Sequence, residues 1–559
     1  MKQSHIYDNT NLAESYSGVV SPLTASFARD LYEGVYRHFC DFMGVSAKKK
    51  RQHDDMFRRM IVSIGYHLYY DINNWYTLVS MLPGYSYNKS FFEHMLGIPP
   101  GAAPEVKISG SKSVAKIRLL LQGLKIGAIF VVMPLLVRQF NRRFDTEFRR
   151  FGALDLKRMK YQELCAHYQT VRAELVRLWR VPIANDFAVM VSTGIARALH
   201  KKWLGDDSFA GHLLLSSRKN LASVDPGRNL LAIRRRIEAL QLHSYLDTSL
   251  APKEVYANLR RDSSATEIVD AIDAYILLYG SRVPNELKLE ARTLHESPEE
   301  IIPMLRAASG VFEERIETAR NVPSISGVSL LRRRILSFVF SWARMSIRYR
   351  EETRLRRTQI FGHARQVFLR MGSILVEEKK LAHAEDVMLL SIDELCTNAG
   401  DPDLAERIAL RKEEMSLWKT IMMPNRIETE KDIPAIETEL RARTYQKPSV
   451  GSLKGMVASR GGMESLSGTA LVLKEFDPTA SYEGKILVTR HTDPGWTVVF
   501  PLVSAIVVER GGLLSHASIV AREMGIPCII GVAGATDGIS DGATISLDFS
   551  SGSISLQNV

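Results

Sequence analysis

Of the 14 histidines in this chain, His516 stands in a setting suited to carrying a phosphoryl group. Gly511-Gly512-Leu513-Leu514-Ser515 precedes it, and Ala517-Ser518-Ile519-Val520-Ala521-Arg522-Glu523-Met524-Gly525-Ile526-Pro527 follows. Residues 504–508 are a short apolar, β-branched run, the glycine pair breaks it, and residues 517–524 have helical composition closed by Gly525 and Pro527. The spacing predicts strand, glycine turn, helix, with Ser515 at the N-cap and His516 in the first turn. Free backbone N–H groups and the positive end of the helix dipole favour an anion at that point. The same field opposes protonation of the imidazole and keeps a ring nitrogen nucleophilic near neutral pH. Gly511 and Gly512 let a donor phosphate approach without meeting a β-carbon. A histidine taken alone more often packs or faces water, so the reading depends on the whole string.

The elements that position this string form a small α/β unit. After Gly468 the sequence turns to short β-branched runs at 486–489, 498–500, 506–508 and 545–547, with one evident helix at His516. Residues 1–444 read instead as a large, mostly α-helical domain, punctuated by prolines into segments of helical length. The clearest helix is 329–378, free of proline, with Leu331, Ile335, Phe338, Trp342, Met345 and Leu355 tracing an apolar stripe among arginines. Residues 401–422 form another amphipathic candidate. The stretch 445–467, richer in Gly and Ser, reads as a linker leading into a domain at 468–559. The fold class expected is therefore multidomain, helical first and α/β last.

Composition narrows the function. From Tyr445 onward there are 8 Lys and Arg against 10 Asp and Glu, so the net +11 of the chain resides in residues 1–444 as +13. That excess reads either as a solvated helical surface or as attraction for anions such as nucleotide phosphates. The basic residues are dispersed and no binding module accompanies them, so nucleic acid is not an expected partner. Cys40, Cys165, Cys396 and Cys528 show no ligand spacing, and no metal site is expected in this chain. The most apolar segment, 126–137, contains Pro134 and is too short to span a bilayer; a buried helix is expected there. With no apolar leader after Met1, the expected compartment is the cytoplasm.

Taken whole, Gly511 to Pro527 resembles the phosphohistidine swivelling domain, also called the mobile domain, of the phosphoenolpyruvate-utilising enzymes. These include phosphoenolpyruvate synthase, pyruvate phosphate dikinase and the rifampicin phosphotransferases. The resemblance implies that His516 is the phosphorylated residue, with Gly511, Gly512 and Ser515 supporting the phosphate. Thr492-Asp493-Pro494-Gly495-Trp496-Thr497, Phe500-Pro501-Leu502 and the Leu514-Ser515 pair are similar to the rifampicin phosphotransferase branch. The Ser-Pro-Gly turn that usually opens the domain reads Ser459-Arg460-Gly461-Gly462-Met463 here. Tyr16 to Thr24, Asn74-Trp75-Tyr76 with Leu82 to Tyr85, and Glu385-Asp386-Val387 with Ile392 to Leu395 look like segments of that branch's substrate-binding region. By that likeness Trp75 and Tyr85 are candidates to line an acceptor pocket, with Tyr76 beside them. Arg348, Arg350 and Glu351, with Glu352, are candidates to clamp a phosphate or orient an acceptor. A packed core for the aromatics and a salt-bridged surface for the charged run are the plainer readings.

The family's donors are ATP in an ATP-grasp domain or phosphoenolpyruvate in a TIM barrel. Residues 1–444 are too helical for the former, and no GxxxxGK[ST] loop is present. The resemblance therefore implies ATP and Mg2+ on a separate ATP-grasp partner chain, and a small-molecule acceptor held by the helical domain. Two other readings stay open: a phosphocarrier or regulatory subunit acting on a protein partner, and a binding protein with a vestigial His516.

Overall fold

A computed structural model describes residues 4–81, 112–205, 225–308, 325, 327–397, 403–442, 453–477, 480–512 and 515–556. The fold is multidomain, a large helical part followed by a small α/β domain. Its residues cluster into two compact units. Unit 1 comprises 1–194, 287–290 and 360–446; unit 2 comprises 195–286, 291–359 and 447–559.

In unit 1, helix α1 (Pro22–Met43) starts where Ser21 caps it: the Ser21 hydroxyl accepts the Thr24 N–H at 3.1 Å, and Pro22 presets the first turn. Gly44, at φ +82°, ends it. Helix α1 packs on α2 (Tyr161–Leu178) through an aromatic cluster in which Phe27 meets Phe361 edge-on at 4.9 Å and Tyr168 at 6.1 Å. The unit also holds a four-stranded sheet that the helical reading of residues 1–444 does not contain. Its strands β1 (His5–Asp8), β2 (Ile61–Ile64), β3 (His67–Asp71) and β4 (Arg426–Thr429) lie in the order β2-β3-β1-β4. A tight turn with positive φ at Gly65 and Tyr66 joins β2 to β3. A Cβ at Gly65 would lie 2.4 Å from Trp418 Cε3, and Trp418 is 1% exposed. Gly65→Ala is therefore expected to destabilise unit 1 by about 2 kcal/mol, read as a lower denaturant midpoint.

Two expectations about burial are corrected. In the helix Lys112–Gly152, Val131 and Leu135 are 80% and 65% exposed, so the apolar run is not a buried helix. Among its described side chains, Met133, Val137, Phe140, Phe144 and Phe151 are buried. The helix expected at 329–378 is present, but Leu331 and Phe338 of its proposed stripe are 69% and 71% exposed. Leu336, Phe340, Ala343 and Ile347 are buried instead. This helix is apolar on more than one face, and periodicity cannot choose between them.

Unit 2 contains α3 (Asp225–Ala239), α4 (Thr266–Tyr279) and the first part of α5 (Leu330–Glu377), together with the C-terminal domain. That domain is built on an eight-stranded sheet. Strands β7 (Ser465–Leu473), β8 (Ile486–Thr489), β9 (Ala505–Val508) and β10 (Cys528–Ile530) run parallel. Strands β8, β9 and β10 bury every side chain, as the apolar runs 486–489 and 505–508 require, whereas β7 buries only Ala470 and Leu471. Strands β5 (Leu453–Lys454) and β6 (Met456–Ser459) fall inside the 445–467 stretch, and β11 (Thr544–Asp548) and β12 (Ser553–Leu556) complete the sheet. Helix α6 (His516–Glu523) crosses from β9 to β10.

Candidate functional site around His516

The local prediction of strand, glycine turn and helix matches β9, Gly511-Gly512 and α6. Ser515 is the N-cap: its hydroxyl accepts the Ser518 N–H at 3.4 Å and donates to the Ser518 hydroxyl at 3.0 Å. Ser518 in turn donates to the Gly512 carbonyl at 2.8 Å, tying the glycine turn to the first turn of α6. Gly511 has φ +123°, a conformation that favours glycine.

His516 is buried, 3% exposed, with its ring 6.1 Å from that of Phe500. Nε2 lies 3.4 Å from the Thr497 hydroxyl, and Nδ1 has no hydrogen-bond partner among the described residues. Burial lowers its pKa well below the usual histidine value, and the guanidinium charges of Arg282 and Arg354 lower it further. The ring is thus held neutral, by desolvation and two arginines in addition to the helix end anticipated from sequence.

A second chain segment meets this site. The turn 280–286 after α4 lies against the short 3-10 turn Pro494–Val498 that carries Thr497. Asn285 N–H donates to Asp493 Oδ2 at 2.7 Å, and Gly495 N–H donates to Asp493 Oδ1 at 2.8 Å. A Cβ at Gly495 would stand 2.3 Å from Pro284 N, so only glycine fits the contact.

Helix α5 supplies the third side. Arg354 pairs with Glu351 at 3.2 Å, and Glu351 is fully buried. The charged run 348–352 is thus not simply a solvated surface. Arg348 lies over the Tyr349 ring at 5.1 Å, and Arg350 is partly buried. At the far end of α6, burial pushes the Glu523 carboxyl up to about 8; Arg522 and Arg228 pull it down, and Glu351 pushes it up. Glu286 is also pushed up by burial, against the pull of Arg282, Arg357 and Arg354.

Of the other residues singled out from sequence, Trp75 is 4% exposed in unit 1 and meets Tyr76 edge-on at 6.0 Å. Tyr85 lies outside the described residues. Sequence reasoning did not find Arg282, Glu286, Arg354 or Arg228. Arg354 sits one helical turn beyond Arg350 and was within reach of an i, i+4 reading. The turn 282–286 carries no signal beyond Pro284.

Comparison with known proteins agrees with this geometry. Residues 481–552 match the family described as PEP-utilising enzyme, mobile domain, and residues 183–351 match the rifampicin phosphotransferase fourth domain. A rifampicin phosphotransferase of a Streptomyces species is 28% identical over 64% of this chain and 42% of its own length. Those of Streptomyces sviceus and Bacillus cereus are each 27% identical, over 64% and 62% of this chain and 42% and 41% of their own lengths. The chain thus spans less than half the length of these curated relatives. Among the described residues no helix is long and apolar enough to cross a membrane. The fold, the histidine loop and these matches place residues 481–552 among the mobile domains of the phosphoenolpyruvate-utilising enzymes and residues 183–351 among the rifampicin phosphotransferase fourth domains.

Proposed function

We propose that this chain is the carrier and acceptor part of a phosphotransferase. His516 takes a phosphoryl group derived from ATP and passes it to a small molecule held by the helical domain. The observation that carries this reading is a buried, neutral imidazole at a helix N-terminus, beside two arginines, in a fold matched to a mobile domain. ATP with Mg2+ is bound on a separate ATP-grasp chain, and the reaction belongs in the cytoplasm. The neutral ring attacks the donor phosphorus, and a P–N bond forms as the donor P–O bond breaks. Gly511 and Gly512 admit the donor, and Ser515 fixes the helix end. An acceptor hydroxyl then attacks phosphorus in line and releases its proton to solvent, the P–N electron pair returns to the ring, and Arg282 and Arg354 offset charge on the equatorial oxygens. Arg348, Arg350 and Glu351 on α5 are the residues proposed for the acceptor side.

The experiment incubates the full chain with labelled ATP, with and without an ATP-grasp protein, and then adds rifampicin as the first acceptor probe because the relatives carry its name. Acid-labile, base-stable label that moves to a small molecule supports the reading. Absence of label under every donor condition sinks it, and label that passes only to a protein supports a carrier subunit instead.

A further inference from the structure

Arg282 is 3% exposed, and none of its three guanidinium nitrogens has a hydrogen-bond partner among the described residues. A buried guanidinium left this way is costly, because its hydration is lost and nothing replaces it. Its carboxyl neighbours do not discharge that debt. Glu286 and Asp225 both feel the Arg282 charge, yet burial pushes both towards the neutral form. Asp225 lies 3.9 Å from Arg228, and Glu351 is taken by Arg354 at 3.2 Å.

The position of Arg282 follows from contacts already described. Its turn is fixed to Asp493 through Asn285 and to Gly495 through Pro284, and Thr497 of that same 3-10 turn reaches His516. The ring also presents a buried atom without a partner, Nδ1. A neutral ring that accepts the Thr497 hydroxyl at Nε2 carries its proton on Nδ1 and is a donor there. An arginine fork and an N–H donor, both dry and both unpaired, match the acceptor oxygens of a phosphate.

We infer that Arg282 and His516 Nδ1 form two walls of a dianion site, which takes free phosphate or a phosphate monoester while His516 is unphosphorylated. The inference rests on the phosphotransfer reading for its role: with the proton on Nδ1 the ring carries its phosphoryl group on Nε2, and the dianion site lies at the other edge of the same ring. It adds a resting ligand and assigns Arg282 as the residue that selects it.

The test titrates the full chain with inorganic phosphate, with phenyl phosphate and with chloride at constant ionic strength, following the unfolding midpoint and the His516 ring resonances. Saturating phosphate or phenyl phosphate is expected to raise the midpoint by about 2–4 °C and to shift the ring signals, with chloride doing neither. Arg282→Met is expected to weaken binding by roughly 10- to 100-fold, and Arg282→Lys by less. Response to phosphate alone or to phenyl phosphate alone still supports the site and identifies which dianion it admits. The inference is overturned if wild type responds to neither, if chloride acts equally, or if wild type and the Lys variant bind alike while the Met variant loses no affinity. Should the Met variant not fold, unmoved ring signals at saturating phosphate overturn it in wild type alone. A chain that binds phosphate but never takes label from a donor keeps the site and loses the phosphotransfer reading. A chain that takes label but ignores phosphate does the reverse.

Discussion

His516→Ala is expected to take no acid-labile label from any donor and to lower transfer to an acceptor by about a thousandfold or more. The variant removes the atom to which phosphorus bonds, and the polar neighbours shown among the described residues, the hydroxyls of Thr497 and Ser515 and the guanidinium groups of Arg282 and Arg354, cannot form an acid-labile P–N bond of this kind. The helix itself should survive, because its cap is made by Ser515 and Ser518 and not by the imidazole. Far-ultraviolet circular dichroism then separates loss of chemistry from loss of fold, and label on the Ala variant at the wild-type level would refute the carrier role.

The second large effect concerns pH. The Glu523 carboxyl is held at about 8 by burial, faced by Glu351 from α5, Arg228 from α3 and Arg522 from its own helix. A carboxyl raised in the folded state keeps its proton where the unfolded chain has released it, so its contribution is full below about 4.5 and fades as pH rises to about 8. His516 acts with the opposite sign below 6.5, because its pKa is depressed. Between pH 6.5 and 8 the Glu523 effect stands clear of that ring, and stability should fall by about 2 kcal/mol across the window. Glu523→Gln should flatten this slope, measured as denaturant midpoints at several pH values. An unchanged slope in the Gln variant would show that another group is responsible.

The parts of the molecule legible in the sequence are those whose cause is local. Gly511 to Pro527 specifies its own turn, cap and helix within 17 residues, and the core strands β8 and β9 announce themselves as apolar runs. The sheet of unit 1 is not local. Strand β1 pairs with β4, His5 opposite Thr429, and no pattern of either strand names the other. The charge environment of His516 has the same origin. Arg282 reaches it because Pro284 and Gly495 touch, a contact between residues more than 200 positions apart. Glu351 was visible as a charged residue on a long helix, but its burial depends on what packs over it.

The interleaving of the two units bears on how the molecule assembles. Each is stitched from separated stretches, and β1 must wait for residues 426–429 before its outer edge is covered. During synthesis on the ribosome that strand therefore persists with unpaired N–H and C=O groups while more than 400 residues emerge, an invitation to pair with other chains. Nascent chains arrested before β4 are expected to be the aggregation-prone species, and chaperone demand should drop once that strand has left the exit tunnel.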